Sequence, residues 1–457
     1  MFFSITTYDN IYKRLGVEIF FFAIWFFAFW VGGNAYAQIY EVGPGKALER
    51  IGSVPFDRLE PGDLVKIYYR EKPYLERIIL RRSGTEQRPI RIKGIPSKGR
   101  LPIIDGKLAG AVQRENWNHR GRWLIKIGDD VPGDYVRIEN LVLRNANNGN
   151  LTVDSKGGHL YTANAGGVFL TKGKHVVISN CLIYACGNGI ICAFAPNVNH
   201  LTVRKCRIYG NGDFQNKKSD QEHNVYLNGT HTIVEFCRFG PPAACGQTLK
   251  DRGLDTIIRY NWIEGGFNRQ LDLVDHKDYK KAHAFVYGNV LVQGRKSHNY
   301  NMIHWGGDSG YSRSGTLYFF NNTVIGKHPV TRYIDVQYSD CKVDLRNNAF
   351  IGQGKLWNYR GTLKGLHNWF SKDIQCPQEK YLGIRGDNPG FMIGFKVPYF
   401  PYLGSALINN GISQVPLPVE YMPLPRGGGW KRSAFQTMDI GAYEFNPVML
   451  KKHFGSQ

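Results

Sequence analysis

The sequence is short of acidic residues and lacks the local cysteine patterns of metal and redox sites. It has 37 Asp and Glu against 58 Lys and Arg, and it contains no CxxC pair and no zinc-type His/Cys spacing. Zinc-finger and dithiol motifs are therefore excluded. The formal net charge of +21 favours a polyanionic partner, either an acidic polysaccharide or a membrane surface.

The beginning of the chain has the pattern of an export signal. Lys13 and Arg14 precede an apolar run, and residues 35–37 form a small-x-small cleavage pattern. We predict a Sec-type signal peptide over 1–37 and a mature chain, 38–457, in a bacterial periplasm or secreted. An uncleaved membrane anchor is the alternative, because the apolar run nearly spans a bilayer. We expect a monomer with no nucleic-acid partner, in contact with membrane only through an uncleaved signal.

A repeated pattern runs along the middle of the chain. Seven segments align without gaps: VVISNCLIY, LTVRKCRIY, TIVEFCRFG, TIIRYNWIE, AFVYGNVLV, LYFFNNTVI and KVDLRNNAF. Their sixth position holds Cys181, Cys206, Cys237, Asn261, Asn289, Asn322 and then Asn347 or Asn348. Such a column predicts an inward ladder of Asn at a bend, continued by cysteines that are buried as small apolar residues. Disulfides between neighbouring coils are the alternative.

The period of this repeat predicts the fold. Successive segments start 24 to 33 residues apart, and apolar and polar residues alternate within them as in half-buried strands. That period fits one coil of a parallel β-helix and is too short for a propeller blade. We predict an all-β, single-stranded right-handed parallel β-helix with an N-terminal cap. It forms one domain over 38–457, with an irregular, Pro-rich part at about 366–436.

A second strand precedes each repeating segment and places ionisable side chains on one face. The outward positions hold His223 or Tyr226, Lys250, Arg252, Asp272, Asp275, His276, His304 and Asp335. The inward positions hold Val225, Leu227, Leu249, Leu271, Leu273, Ile303 and Ile334. Coils stack about 4.8 Å apart, so outward side chains of neighbouring coils can contact one ligand. A purely structural sheet more often presents Thr, Ser and Lys, which favours a functional interpretation of this stripe.

The same residues resemble a family of right-handed parallel β-helix polysaccharide lyases, the chondroitinase B and alginate lyase family. Those enzymes have a strand ending in a catalytic Lys, then Asn-x-x-x-x-Asn-x-(Phe/Ile), then a strand Leu-x-Leu-Arg-His-Gly. Here LKDRGLDTIIRYNWI followed by LDLVDH has that layout, which places Lys250 at the family's base. The family's acidic calcium ligands are replaced by Ala243 and Cys245, and its Arg by Val274. We therefore predict no metal and no other cofactor.

The resemblance implies a secreted lyase that cleaves a uronic-acid polysaccharide by β-elimination. The predicted catalytic residues are Lys250 as base, Arg252 for the substrate carboxylate, His223 or His276 as proton donor, and Asp275, which would orient a His or hold Lys250. The predicted substrate contacts are Tyr226, Arg269, Asp272, His304, Trp305 and Asp335, the aromatic ones by stacking on sugar rings.

Three other functions fit the same stripe. A polymer-level uronate C5-epimerase needs the same proton removal. A β-helix glycoside hydrolase would use two carboxylates, such as Asp272 with Asp275 or Asp251. A non-catalytic matrix protein would only bind the polysaccharide.

Overall fold

The structure is a computed structural model that describes residues 37–111, 123–154, 157–194, 196–276, 281–308, 310–358, 360–376, 382–434 and 436–454. Residues 1–36 of the predicted signal peptide lie outside the described residues. Residues 37–457 form one compact unit. In the described part of the chain, no helix has the length and apolar character needed to cross a membrane.

Three long sheets make up the described residues, with strands numbered along the chain. Sheet 1 consists of β1 (Ile39–Val42), β2 (Leu64–Tyr68), β4 (Ile90–Ile95), β8 (Val136–Glu139), β14 (Val177–Ser179), β18 (Thr202–Arg204), β21 (Ile233–Glu235), β24 (Thr256–Arg259), β27 (Ala284–Tyr287), β30 (Thr316–Phe320), β33 (Lys342–Arg346) and β36 (Thr362–Leu366). Sheet 2 consists of β3 (Glu76–Leu80), β6 (Ala109–Ala111), β7 (Trp123–Ile127), β10 (Leu151–Asp154), β11 (Gly157–Leu160), β12 (Gly166–Leu170), β16 (Asn188–Cys192), β20 (Val225–Leu227), β23 (Leu249–Asp251), β26 (Leu271–Leu273), β29 (Asn301–Trp305), β32 (Arg332–Val336), β35 (Gly354–Asn358) and β38 (Ile374–Gln375). Sheet 3 consists of β5 (Ile103–Asp105), β9 (Val142–Arg144), β15 (Leu182–Tyr184), β19 (Arg207–Tyr209), β22 (Arg238–Phe239), β25 (Trp262–Glu264), β28 (Val290–Val292), β31 (Thr323–Ile325), β34 (Ala349–Ile351), β37 (Asn368–Ser371) and β39 (Gly383–Gly386).

The remaining elements are short. They are the pairs β13 (Gly173–Lys174) with β17 (Val198–Asn199) and β40 (Tyr421–Pro423) with β41 (Gly429–Lys431), two 3-10 helices (Ile51–Ser53 and Phe56–Arg58), and the helix α1 (Pro447–Phe454).

Each coil takes one strand from each sheet. In one coil, β23 of sheet 2 is followed by β24 of sheet 1 and β25 of sheet 3, and each pairs in parallel with the strand of the next coil. Apolar side chains from all three sheets fill the interior as one core cluster. The predicted parallel β-helix is therefore confirmed.

The bend between sheets 1 and 3 holds the predicted Asn ladder. Tyr260 has a left-handed backbone with φ of 56°, which turns the chain so that Asn261 points inward. The Asn289 side-chain oxygen accepts hydrogen bonds from the Asn261 backbone N–H at 2.9 Å and side-chain amide at 3.0 Å. The column continues through Asn322, then Asn348 rather than Asn347, and it extends to Asn368.

Cysteines extend this column as predicted. The Cys237 N–H donates to the Asn261 side-chain oxygen at 2.9 Å, and the Cys206 N–H contacts the Cys237 sulfur at 3.4 Å. Cys181, Cys206 and Cys237 are buried free thiols. Core packing is therefore their role, and the disulfide alternative is wrong for them.

The N-terminal end of the stack is covered. Ile51 and Phe56, in the two 3-10 helices, are buried in the main core and cap the first coil. Farther along the chain, Val419 and Tyr421 pack on the side of the stack, against Phe236, Tyr260, Tyr287 and Phe320 from successive coils. The coils continue to Gly386, so the irregular part begins later than the predicted boundary near 366. Strand-like patterns in the last coils were too short to distinguish from loop by sequence.

Candidate active site

The ionisable stripe predicted from the sequence is a row of paired residues on sheet 2. Tyr226 pairs with Lys250, Lys250 with Asp272, Asp272 with His304, and His304 with Asp335. The inward positions on either side of this row are fully buried, and they hold Leu, Val or Ile except at Asp251 and Trp305. Period-two alternation in each strand thus fixes which face holds the row.

Lys250 of this row and the neighbouring Arg252 both bind the carboxylate of Asp308. The Lys250 Nζ donates to Asp308 Oδ2 at 2.6 Å, and the Arg252 Nη2 donates to Asp308 Oδ1. Asp308 lies on the loop after β29 and its side chain is 29% exposed, against 11% for Lys250. Burial by itself would raise the pKa of Asp308, but the Lys250 hydrogen bond and the charges of Lys250 and Arg252 lower it below its usual range. Lys250 and Arg252 therefore form a carboxylate-binding pair at the sheet surface.

Asp275 positions both the Arg252 guanidinium and the loop that carries Asp308. Its buried carboxylate accepts a hydrogen bond from Arg252 Nη1 at 2.9 Å. It also accepts from the backbone N–H groups of Asp308 at 3.0 Å and Tyr311 at 2.9 Å. Asp275 thus fixes the guanidinium and the loop that brings Asp308 to it.

A series of polar contacts extends from Lys250 through Asp272 and His304. Asp272 is buried, with its Oδ2 atom 3.3 Å from the Lys250 Nζ, and its Oδ1 accepts from Arg269 Nη1 at 3.0 Å. His304 Nδ1 lies 2.8 Å from Asp272 Oδ1, and its Nε2 lies 2.9 Å from Gln337 Oε1. Burial tends to raise the pKa of Asp272, but the His304 hydrogen bond and the charges of Arg269 and Lys250 lower it well below its usual range. Asp272 is therefore an anion that orders its neighbours and not a proton donor.

Tyr226 and His223 lie on the other side of Lys250. The Arg252 Nε donates to the Tyr226 hydroxyl oxygen at 2.9 Å. His223 meets the Tyr226 ring edge-on at 5.2 Å, and its Nδ1 accepts from the Gln247 backbone N–H at 3.0 Å. Burial, and then the charge of Lys250, lower the pKa of His223 to about 3. His223 is therefore a neutral imidazole with its proton on Nε2.

Three predicted site residues have other surroundings. His276 is almost buried and its ring lies 5.1 Å from that of Phe194. Asp335 accepts a hydrogen bond from the Asn301 side chain at 2.8 Å, at the far end of the row. Trp305 is fully buried in the core, so the prediction that it stacks on a sugar is wrong. Trp305 comes two residues after the inward Ile303 and therefore shares its direction.

Sequence reasoning missed three participants. Asp308 and Gln337 follow their strands in loops that the repeat does not align. Arg313 is buried and pairs with buried Asp251 at 3.3 Å, which removes Asp251 from the accessible surface. An Asp between glycines just after an ionisable strand, as in GGDSG, was the available signal for Asp308.

The calcium site of the resembling lyases does not fit this chain. Ala243 offers no ligand atom and Cys245 offers a thiol, whereas calcium prefers carboxylate and carbonyl oxygens. Among the residues that the structure describes, no group of three His, Cys, Asp or Glu side chains could hold a metal.

Comparison with known proteins supports the fold. Residues 131–291 match the family model "Right handed beta helix region". Pectate lyase Pel9A aligns with a TM-score of 0.53 at 13% identity, over 90% of this chain and 97% of that one. A mannuronic acid-specific family 6 lyase from human gut microbiota aligns with a TM-score of 0.49 at 15% identity, over 72% and 80% of the two chains. An alginate lyase from Paenibacillus sp. str. FPU-7 aligns with a TM-score of 0.46 at 14% identity, over 70% and 94%.

Fold and site together define a right-handed parallel β-helix protein with a charged stripe on one sheet. Pectate lyase Pel9A is a structural neighbour, at an identity that establishes the fold alone. No curated protein matches the chain in the sequence search.

Proposed function

We propose that this protein is a polysaccharide lyase that cleaves a uronic-acid polymer by β-elimination. The observation that supports this most directly is the convergence of Lys250 and Arg252 on the single carboxylate of Asp308. A lyase of this kind must bind the carboxylate next to the acidic C5 proton, remove that proton and protonate the leaving oxygen. A carboxylate-binding pair flanked by a hydroxyl and an imidazole provides groups for all three tasks.

The substrate carboxylate takes the place of Asp308. Arg252 then binds it through the planar guanidinium, whose position is set by Asp275. As the C5–H bond breaks, negative charge moves onto this carboxylate, and the guanidinium stabilises the resulting enolate. Because Arg252 is already fixed by two partners, little reorganisation accompanies that charge shift.

Lys250 accepts the C5 proton in its uncharged form. Its Nζ lies 2.6 Å from Asp308 Oδ2, so it borders the place that the substrate carboxylate takes. The electron pair of the C5–H bond becomes the C4–C5 double bond while the bond from C4 to the glycosidic oxygen breaks.

Tyr226 is the group we assign to protonate the leaving oxygen. Its hydroxyl oxygen accepts a hydrogen bond from Arg252 Nε, which stabilises the phenolate that remains after transfer. His223, neutral with its proton on Nε2, is a hydrogen-bond donor to substrate and a poor acid. His276 is held against Phe194, and the proton-donor role predicted for these two histidines passes to Tyr226.

Hydrolysis is disfavoured by the state of the carboxyl groups. A glycoside hydrolase needs a carboxylic acid to protonate the leaving group. Asp272 is an anion held by Arg269 and His304, and Asp251 is buried against Arg313. Neither group provides that acid.

The test is product analysis on a panel of uronic-acid polymers. A lyase yields unsaturated fragments that absorb in the ultraviolet and weigh one water less than hydrolysis fragments. Inverted C5 stereochemistry with unchanged chain length would instead establish an epimerase. Saturated fragments would establish a hydrolase, and bound polymer without any turnover would establish a binding protein; each of these outcomes overturns the proposal.

A further inference from the structure

We propose that a pocket beside the charged stripe is a second subsite, which binds another acidic sugar residue of the same polymer. This inference rests on the proposed function for the identity of the polymer. The pocket has a volume of about 250 Å³ and opens to solvent. Its lining includes Cys245, Phe267, Asn268, Asn299, Tyr300 and Arg332.

Two aromatic rings give the pocket apolar walls. The side chains of Phe267 and Tyr300 are 36% and 41% exposed, which is high for residues of this size in a concave place. The Tyr300 ring is backed by His328, with ring centroids 4.5 Å apart, and the Phe267 ring by His298 at 5.4 Å. Exposed rings held by neighbours suit the apolar C–H faces of sugar rings.

Arg332 supplies the charge. It is the exposed first residue of β32, and in the described structure its guanidinium has neither a hydrogen bond nor an ion pair. An unpaired guanidinium presents a planar fork that matches a carboxylate. Apolar walls with one free guanidinium specify an acidic sugar rather than a neutral one.

The floor of the pocket is preformed. The Asn268 side chain donates to the Cys245 carbonyl at 2.7 Å and accepts from the Asn299 side chain at 2.9 Å. The Phe267 carbonyl accepts from the His298 N–H at 2.7 Å and the Asn299 N–H at 3.1 Å. A site held in this way loses little conformational entropy when it binds a ligand.

The pocket adjoins the charged stripe, because two of its residues are next in sequence to residues that bind the stripe. Asn268 precedes Arg269, which binds Asp272 of the stripe at 3.0 Å. Tyr300 precedes Asn301, whose side chain donates to Asp335 of the stripe at 2.8 Å. One polymer lying across sheet 2 can therefore occupy both places.

Cys245 allows a direct test. All eight cysteines lie within the described residues, and Cys245 alone is not buried. The purified protein is treated with N-ethylmaleimide, and the alkylation rate of Cys245 is followed by mass spectrometry of its peptide. Tetrasaccharides of mannuronate, galacturonate and chondroitin are the probes, with cellotetraose as the neutral control.

We expect at least one acidic tetrasaccharide to slow alkylation, whereas its monosaccharide and cellotetraose do not. Arg332→Ala should weaken this protection about tenfold, since a charge-assisted hydrogen bond is lost. Tyr300→Ala, which leaves the charge unchanged, should weaken it as well. Arg58→Ala removes an exposed charge from the N-terminal cap and should leave it intact.

The outcomes separate this inference from the proposed function. Protection without turnover supports the subsite and overturns the lyase assignment. Turnover with an unprotected Cys245 at saturating substrate overturns the subsite alone. Equal protection by cellotetraose, or protection unchanged in both Arg332→Ala and Tyr300→Ala, also overturns it.

Discussion

Lys250 and Arg252, two residues apart at the end of β23, share the carboxylate of Asp308, which lies more than fifty residues further along the chain. An internal carboxylate therefore already binds both cations. Under the proposed function, the substrate carboxylate competes with Asp308 for these two cations. Activity and affinity should then respond differently to changes at the cations and at Asp308.

Replacement of Lys250 tests the base. In Lys250→Ala the C5 proton loses its acceptor, so turnover of the acidic polymer should fall at least about 100-fold. Initial rates of ultraviolet absorbance measure this. Lys364→Ala, which removes an exposed lysine from sheet 1, is the matched control and should keep wild-type rates. Retention of more than half of the activity in Lys250→Ala would remove Lys250 from the mechanism.

Replacement of Asp308 tests whether its carboxylate competes with the substrate for Lys250 and Arg252. In Asp308→Ala the two cations lose the carboxylate that they share, so KM for the acidic polymer should fall severalfold. Steady-state kinetics measure this, with Asp387→Ala as a control because Asp387 pairs with exposed Lys372 elsewhere. A raised KM in Asp308→Ala would mean that Asp308 contributes to substrate binding instead.

The Asn ladder makes a prediction about stability. Asn289→Ala leaves the Asn261 backbone and side-chain donors without their acceptor in a buried place. The free energy of unfolding should fall by about 2–5 kcal/mol, measured by urea denaturation. Asn197→Ala, at an exposed turn, should change it by less than about 0.5 kcal/mol. Equal effects of the two substitutions would contradict the ladder's role.

A stack of histidines predicts a pH dependence. His200 lies between His175 and His231, with ring centroids 4.6 and 5.0 Å apart. Burial, and then the charges of these two neighbours, lower the pKa of His200. The unfolded chain therefore binds the proton more readily, and this residue's contribution to stability declines as the pH falls below about 6.5.

His200→Asn removes that titration and suits the left-handed backbone at this position, where φ is 54°. Its Tm should fall less than that of the wild type between pH 7.5 and 5.5. His367→Asn is the control, because His367 has the same backbone region and lies outside the stack. Parallel Tm curves for wild type and His200→Asn would refute the prediction.

The repeat made the sheets predictable because each coil reuses one register. The direction of Lys250, Asp272 and His304 followed from alternation, and the structure confirms it. Alternation also predicts that Trp305 points inward and does not contact a sugar, because it lies two residues after the inward Ile303. The same alternation explains why Lys250 faces outward whereas the next residue, Asp251, is buried.

The loops were not predictable in this way. Asp308 reaches Lys250 because Asp275 binds two backbone amides of its loop, a contact that no periodic pattern encodes. Arg313 likewise reaches Asp251 from a loop two coils further along. Sequence reasoning therefore found the cations of the site and missed the anion that occupies them.

The stripe on sheet 2 draws one outward residue from each successive strand, and the hydrogen bonds between rungs hold those strands in step. Each coil therefore contributes one outward side chain to the stripe, independently of the backbone pairing that holds the coils together. A substitution at one outward position can therefore change the side chain presented there while the backbone of the adjoining rungs keeps its register. Under the proposed function, sugar preference would respond to changes in a single coil.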